Sequence, residues 1–308
     1  MSQEIKLTSR LERGNVMKIF KSAGLLFSSL VCLGTIVIFE IKDWPVGSSI
    51  AGIIIGFLIP VFFKSIQDLW DTEDWKISQR KLLRGGFIKK DSIVRISFAY
   101  LYRIKVGTKY LLVRNARGTG KYQPVGGVYK LLGNEKIELK NLYQVMDDDK
   151  ILIDESSRDD YRLRLANQHL RKFIKRFDEC ASRERVYDLS REFREEMVDT
   201  GLVNWNQITY RVCGRHVTAL EYGKHFQIYE LLLADIVELI PTKDQEKDLV
   251  KLVENHSERY IFAAFEEIRA LGINTETGKL SETIADHSIK VTQENEGTLV
   301  QIPEHGKM

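Results

Sequence analysis

Two long stretches without a charged residue near the N-terminus constrain this chain more than any other feature. Residues 22–39 and 44–63 contain 18 and 20 residues, and neither stretch holds Asp, Glu, Lys or Arg. As helices they would be about 27–30 Å long, which is the thickness of the hydrocarbon core of a bilayer. We therefore predict a transmembrane helical hairpin over residues 21–64. Buried core helices are the alternative, and a signal peptide fits poorly because a second apolar stretch follows the first at once.

The charges on either side of the hairpin predict its orientation. Lysine and arginine are frequent before residue 22 and after residue 63, whereas the short connection holds a single lysine, Lys42, among acidic residues. The excess of positive charge on both flanks places both ends of the chain in the cytoplasm. The predicted organisation is a cytoplasmic tail (1–20), the hairpin (21–64), a juxtamembrane helix or linker (65–90), one folded domain (91–292) and a flexible tail (293–308).

Small residues recur at every fourth position of both apolar stretches. Such spacing allows helices to approach one another closely. The helices of one hairpin would then pack on each other, or on those of further copies of the chain. The residues concerned are Gly24, Ser28, Cys32, Ser48, Gly52 and Gly56.

Charge and cysteine content disfavour two broad classes of function. A formal net charge of +3 over 308 residues is small for a protein that binds DNA or RNA, so neither is an expected partner. The three cysteines show no paired spacing, which argues against a disulfide framework or a cysteine-based zinc site. A reducing compartment fits best.

The pattern after residue 90 is typical of a mixed α/β domain. Apolar and polar residues alternate on both sides of Gly107, which predicts a β-hairpin over 91–115. The order of the remaining segments predicts a mixed sheet with helices on both faces. These segments are a glycine-rich loop (116–130), helix for most of 157–190, strands over 207–239, a helix near 243–256, a strand at 259–265 and a short helical ending.

Three glutamates carry the chemistry that the sequence suggests. Glu192, Glu195 and Glu196 stand at i, i+3 and i+4, and these positions share one face of a helix. Carboxylates in this arrangement repel one another unless basic residues or a cation neutralise them. Arg191 and Arg194 offer the first solution, a salt-bridged surface helix. Mg²⁺, which prefers oxygen ligands, offers the second.

This pattern resembles the signature of the Nudix family. The matching residues are Arg191-Glu192-Phe193-Arg194-Glu195-Glu196, preceded by the turn Pro124-Val125-Gly126-Gly127. The resemblance covers roughly residues 91–290 and implies a Nudix-like fold. It also implies Mg²⁺ as the cofactor, with Glu192, Glu195 and Glu196 as its ligands. If the chain is a hydrolase, Glu266 or Glu267 is the candidate catalytic base.

The chain departs from the family pattern around the signature. Phe177 and Val198 stand where the family has glycines, and Arg183 stands where it has a glutamate. An insertion at about 128–180 separates the glycine turn from the signature. A Nudix fold therefore follows from the resemblance, whereas hydrolysis does not, and we lean against catalysis.

The insertion and its surroundings are rich in basic residues. Most of these would form a solvated face, and the alternative is a wall that contacts phosphate beside the glycine turn. Tyrosines on the strands would stack on bases or, more often, belong to the core. The candidate ligand-binding residues are Arg117, Lys121, Tyr122, Gly126, Gly127, Arg171 and Arg176.

The order of domains resembles the transmembrane–Nudix effectors of bacterial cyclic-oligonucleotide antiphage (CBASS) systems. The resemblance implies a bacterial inner-membrane protein that binds a cyclic di- or trinucleotide, self-associates and disrupts the lipid bilayer. One alternative is a membrane-tethered, Mg²⁺-dependent Nudix hydrolase of a nucleoside diphosphate derivative. A third interpretation is a structural membrane protein whose folded domain binds another protein.

Overall fold

The structure is a computed structural model that describes most of the chain after residue 73. The chain divides into two units, Met1–Arg80 and Lys81–Met308. In the first unit the described residues are helical. The described residues are 31, 35–38, 41, 49, 53–54, 56, 59–61, 74–115, 118–255, 257–273, 280, 282–294 and 299–302.

The predicted fold class, which begins with two transmembrane helices, is wrong for the part of the chain that the structure describes. No helix there is both long enough and apolar enough to cross a membrane. A span requires about 20 consecutive apolar residues. The longest helix whose full extent the structure describes, Lys243–Glu254, has 12 residues and is largely charged. Most of residues 22–39 and 44–63 lie outside the described residues, and the inner-membrane location stays a prediction.

The second unit is built mainly from strands. Its strands are β1 Ile93–Arg103, β2 Lys105–Val106, β3 Lys109–Arg114, β4 Tyr122–Gln123, β5 Gly126–Val128, β6 Met146–Asp147, β7 Arg162–Ala166, β8 Tyr210–Val217, β9 Glu221–Gly223, β10 Ile228–Leu239 and β11 Tyr260–Ala264. Helix α1, Asp74–Arg84, begins in the first unit, and the helices of the second unit are α2 Glu135–Tyr143, α3 Leu170–Glu179, α4 Ser190–Phe193, α5 Lys243–Glu254 and α6 Phe265–Arg269. Asn167–His169 and Asp286–Thr292 are 3-10 helices, and Arg194–Val198 is a π-helical turn.

The strands form two sheets. The first has the order β6-β7-β1-β10-β8, with β5 also paired to β1 and β9 to β10. Its central pair, β1 and β10, is parallel, whereas its other pairs are antiparallel. The second sheet has the order β11-β3-β2, with β4 paired to β3. The predicted mixed α/β sheet is therefore confirmed.

The two faces of β1 have different partners because side chains alternate along a strand. One face carries Phe98, whose ring stacks on Phe177 of α3 at 3.7 Å between ring centres. The opposite face carries Ser97, Ala99 and Leu101, and Leu101 packs in a core between the two sheets. The other buried members of that core are Tyr110, Leu112, Tyr122, Ala234, Ile236, Ala263, Ile268, Ile284 and Val291.

The helix predicted over most of 157–190 is wrong in its first part. Residues 162–166 form β7, which pairs with β1 in the register Ile96–Leu163 and Val94–Leu165. Leu163 and Leu165 are buried by this pairing, whereas Arg162 and Arg164, which alternate with them, are half-buried. Strict alternation of this kind is the strand period, and it outweighs the helical composition of the segment. The helix begins only at Leu170.

Candidate functional site

The glycine turn (124–127) lies in direct contact with the acidic helix, which consists of α4 and the π-helical turn that follows it. The backbone N–H of Gly126 donates to Glu196 Oε2 at 3.0 Å. A Cβ atom at Gly127 would lie 2.0 Å from Glu192 Oε1, and one at Gly126 would lie 2.2 Å from the carbonyl oxygen of Tyr100. At Gly126 the clash would be with backbone, so only glycine fits there, whereas at Gly127 the side chain of Glu192 would have to move. The two halves of the sequence pattern therefore meet in space.

The acidic helix is anchored by its apolar residues. Phe193 of α4 is buried, and its ring stacks on Trp205 with 5.8 Å between ring centres. Met197 in the π-helical turn is fully buried as well. The backbone of this turn closes with Asp199 N–H donating to Arg194 O at 2.8 Å. Anchoring on one side leaves the glutamates on the accessible side of the helix.

Arg191 is the main neutralising partner of these carboxylates. It donates to both oxygens of Glu184 at 3.2 Å and to the carbonyl oxygen of Val128 at 3.1 Å. It also pairs with Glu192 at 2.5 Å and lies 3.6 Å from Glu195. A guanidinium with five donors suits such a crowded position.

Glu184 is a site residue that the sequence interpretation did not count. It is one position out of register with the glutamate of the family pattern, which is replaced by Arg183. The structure nevertheless brings Glu184 to Arg191, seven residues further along the chain. Arg183 instead lies buried, with its guanidinium 4.0 Å above the Phe177 ring.

Burial raises the pKa of Glu192, and the neighbouring Glu195 raises it further, whereas Arg191 opposes both effects. As placed, the three glutamates do not fit an ion held by all of them: within the described ranges, no three acidic, histidine or cysteine side chains are grouped for metal binding. Glu192 pairs with Arg191, and Glu196 accepts from Gly126. The π-helical turn also alters the angular spacing that places i, i+3 and i+4 on one face. Magnesium binding stays a prediction.

A cleft of 640 Å³ lies over the accessible face of β1. Its volume falls within the roughly 300–1,000 Å³ of typical small-molecule sites. The residues that line it include Arg95, Ser97, Asn115, Gln123, Gly126, Gly127, Lys130, Asp160, Arg162, Arg191, Glu192, Glu195, His287 and Lys290. This first cleft thus joins the glycine turn, the acidic helix, the insertion and the last 3-10 helix.

A second cleft of 720 Å³ lies on the other side of the acidic helix. Arg114, Thr119, Glu196 and Arg259 are among the residues that line it. Both clefts are lined by Asn115, Glu192 and Glu195. The signature glutamates therefore stand between two cavities rather than at the bottom of one.

Most cations of the first cleft are paired with carboxylates. Arg95 binds Asp148 at 2.8 Å and Glu230 at 2.7 Å. Lys130 pairs with Asp160, and Arg162 lies 3.5 Å from the same carboxylate. These pairs hold the walls of the cleft together while their exposed edges face its interior.

Two residues of the last 3-10 helix complete the lining. Burial lowers the pKa of Lys290 to about 8. His287 is exposed at the rim of the cleft, yet the protein around its ring lowers the pKa of the imidazole to about 4, and the positive charges of Lys290 and Lys121 add to this effect. His287 is therefore neutral at pH 7, whereas Lys290 is still mostly charged.

The candidate ligand-binding residues fall into several places. Gly126 and Gly127 line the first cleft. Lys121 lies 4.0 Å from Asp286, at the beginning of the last 3-10 helix. Tyr122 belongs to the core between the sheets, where its hydroxyl donates to Glu258 O at 2.9 Å. Arg117 lies outside the described residues.

The remaining candidates lie away from the first cleft. Arg171 is exposed on α3, and Arg176 donates twice to the buried Glu135 at 2.8 Å. Glu266 and Glu267 begin α6, where Glu267 accepts from the backbone N–H of Ala264 at 2.7 Å. Glu267 lines a separate cleft of 790 Å³ that contains no residue of the acidic helix.

Comparison with known proteins gives one match. Residues 93–292 match the family described as the SMODS-associated NUDIX domain. No curated protein and no solved structure matches the chain. The matched segment begins with β1, ends with the last 3-10 helix and covers more than half of the chain. This chain belongs to the SMODS-associated NUDIX domain family.

Proposed function

We propose that this protein is a CBASS-type effector whose Nudix domain binds a cyclic di- or trinucleotide in the first cleft. The family match supports a Nudix effector linked to such systems and a nucleotide-derived ligand. The observation that carries the proposal is the lining of the 640 Å³ cleft, where the glycine turn and basic residues from four segments converge.

The chemistry of the cleft suits a ligand of this class. Phosphodiesters require cations and donor groups, which Arg162, Lys290 and Arg191 supply. Nucleobases present donors and acceptors at their edges, and side-chain amides recognise them in pairs. Asn115 and Gln123 line the cleft and hydrogen-bond to each other at 3.1 Å, so both amides are already oriented.

Retention of the ligand fits the site better than its turnover. Glu192 and Glu195 pair with Arg191, and Glu196 accepts a hydrogen bond from the N–H of Gly126. Carboxylates in ion pairs of this kind are poor metal ligands until the partners are displaced. Self-association and disruption of the bilayer are the responses that the resemblance implies, and both stay predictions.

A Mg²⁺-dependent hydrolase is the second candidate, because Glu192 and Glu195 line both clefts in the signature order. In that case Glu192, Glu195 and Glu196 would first have to leave their present partners, Arg191 and the N–H of Gly126, to hold the ion. The two candidates make opposite predictions for Glu195→Gln. Turnover requires the carboxylate, whereas binding of an intact ligand survives its loss.

The deciding experiment titrates the full chain with cyclic di-AMP, cyclic di-GMP, cyclic UMP-AMP and cyclic tri-AMP, with and without Mg²⁺. Calorimetry reports binding, and chromatography of the same samples reports whether the ligand stays intact. Glu195→Gln is compared with Glu246→Gln, an exposed glutamate on α5 that lies outside both clefts.

Binding of one intact cyclic nucleotide by the wild type and by both variants supports the effector. Breakdown that requires Mg²⁺ and disappears only in Glu195→Gln establishes the hydrolase instead. Absence of binding across the whole panel overturns the proposed function.

A further inference from the structure

The last 3-10 helix presents two side chains to the first cleft for a simple geometric reason. A 3-10 helix has three residues per turn, so side chains at i and i+3 lie above one another. In Asp286–Thr292 this places His287 and Lys290 on one face and Ser288 and Val291 on another. Ser288 and Val291 are buried, whereas His287 and Lys290 line the cleft.

The position of this helix is fixed at both ends. On one side the backbone N–H of Ala285 donates to Tyr122 O at 2.8 Å, which ties the segment to β4. On the other side Arg103, which is 3% exposed, donates to Val291 O at 2.6 Å and to Gln293 O at 2.7 Å. The two cleft-lining side chains therefore extend from a rigid support, as a binding site requires.

Lys290 differs from the other cations of the first cleft in its partners. Arg95, Lys130, Arg162 and Arg191 each form an ion pair. The ammonium of Lys290 has no hydrogen bond and no ion pair with any residue in the described part of the chain. Its charge is half-buried, yet the cost of burying it is not offset by an anion from the protein.

An anion bound in the cleft would supply that missing partner. The carboxylates of Glu192 and Glu195 repel an anion, and Arg191 already forms ion pairs with both of them. A negatively charged oxygen therefore binds most favourably beside Lys290 and the neighbouring His287. At pH 7 the imidazole of His287 is neutral and offers one N–H donor beside the ammonium.

We propose that Lys290 and His287 form the phosphate subsite of the first cleft, with Lys290 as the cation that contacts a non-bridging phosphate oxygen. This inference rests on the proposed function, because it assigns the part of the cleft that receives a phosphodiester of the ligand. The same chemistry suits free phosphate, so the source of the anion has to be distinguished by the probes.

The test compares Lys290→Ala and Lys290→Arg with the wild-type full chain, using the four cyclic nucleotides, inorganic phosphate and inorganic pyrophosphate as probes. Lys247→Ala is the matched control, since Lys247 is exposed on α5 and pairs with Asp244, outside the first cleft. Circular dichroism and thermal unfolding of each variant show whether it is folded.

Loss of one charge-assisted hydrogen bond lowers affinity by about 10-fold or more. We expect this loss for Lys290→Ala with the cyclic nucleotide that binds the wild type. The affinity of Lys290→Arg should stay within about threefold of the wild-type value, and that of Lys247→Ala should equal it, because both variants keep a cation at position 290. Stronger binding of the cyclic nucleotide than of inorganic phosphate identifies the phosphodiester as the source.

The two proposals fail in different ways. Wild-type affinity in a folded Lys290→Ala overturns the subsite and leaves the proposed function standing. If no cyclic nucleotide binds the wild type, the proposed function falls and pyrophosphate decides the subsite. Pyrophosphate binding that disappears in Lys290→Ala then upholds an anion subsite, and binding that is absent or unchanged overturns it.

Discussion

The absence of a side chain at Gly127 allows Glu192 of the acidic helix to approach the glycine turn closely. A methyl group there would overlap the side chain of Glu192, so Gly127→Ala should force that side chain out of its place against the turn. Overpacking of this kind costs about 1–3 kcal/mol of unfolding free energy. The backbone of Gly127 is not left-handed, so the cost comes from the overlap rather than from strain.

A double-mutant cycle isolates that overlap. Chemical denaturation measures how Gly127→Ala changes the unfolding free energy, first in the wild type and then in a Glu192→Ala background. We expect the alanine at position 127 to be nearly neutral once the carboxylate is gone, because the two effects are coupled. An equal cost in both backgrounds would contradict the close contact.

The depressed pKa of Lys290 makes ligand affinity depend on pH. Affinity for an anion requires the charged ammonium, so affinity should fall as pH rises through about 8, the pKa of Lys290. An ordinary lysine would keep its charge to about pH 10. Calorimetry at pH 7, 8 and 9 measures this. The groups that also face the cleft or this helix are His287, Arg162, Lys130, Asp160, Arg191, Glu192, Glu195, Arg95, Asp286, Lys121 and His216.

Lys290→Arg provides the control, because a guanidinium stays charged over this range. Its affinity should remain flat from pH 7 to 9. Protein stability should move in the opposite direction. Above pH 8 the unfolded chain binds more protons at position 290 than the folded chain does, so the unfolding free energy rises with pH. A wild-type affinity without a fall near pH 8 would sink the prediction.

Residues of the site differ in how far the sequence could predict them. Gly126 and Gly127 belong to one short motif and Arg191–Glu196 to another, so a local sequence pattern is sufficient to find them. Glu184 is one residue out of register with the family pattern, so matching the pattern position by position does not find it. Lys290 lies 99 positions after Arg191, and the only local indication that it belongs to the site is the three-residue period of its helix.

At the scale of elements, the last 3-10 helix depends on one buried arginine. Arg103→Ala would leave the carbonyl oxygens of Val291 and Gln293 without their donor. Each buried acceptor left unsatisfied costs about 1–3 kcal/mol. We therefore expect a loss of about 2–4 kcal/mol in unfolding free energy, together with faster amide exchange over residues 286–293.

Arg211→Ala is the matched arginine control. Its side chain pairs with Glu238 but is 63% exposed, and an exposed pair contributes about 0–1 kcal/mol. Fast exchange confined to residues 286–293 in Arg103→Ala supports the role of the arginine as a positioning residue. Equal losses in the two variants would show that Arg103 has no special role in holding the helix.

Elements with a strong local signal were predicted correctly, and those defined by distant partners were not. Helix α5 has a capping box between Thr242 and Gln245, and its prediction is confirmed. The strand near 259–265 is confirmed as β11. Strand β7 was missed, because its basic residues favoured a helix and its pairing with β1 is visible only in the fold.

For the whole molecule, the end of the described chain protects an edge of the large sheet. Val300 and Arg215 exchange two backbone hydrogen bonds of 2.8 Å, which covers the outer side of β8. Removal of residues 299–308 should expose this edge, lower the unfolding free energy by about 1–3 kcal/mol and promote association between copies. Light scattering and denaturation measure both effects.

A shorter truncation that removes only residues 303–308 is the control, since it leaves Val300 in place. It should behave as the wild type does. Scattering that increases equally in both truncations would show that the tail protects the protein in some other way than by pairing with β8.

The parallel pairing of β1 with β10 also determines when the site can exist. The two strands are held across a long interval, and Arg95 and Glu230, which bind each other, lie 135 residues apart in the chain. The glycine turn, the insertion and the acidic helix all belong to that interval. During synthesis, therefore, these segments leave the ribosome before the strand that completes the centre of their sheet. Contacts so distant in sequence slow folding, and the cleft forms only after β10 has been synthesised.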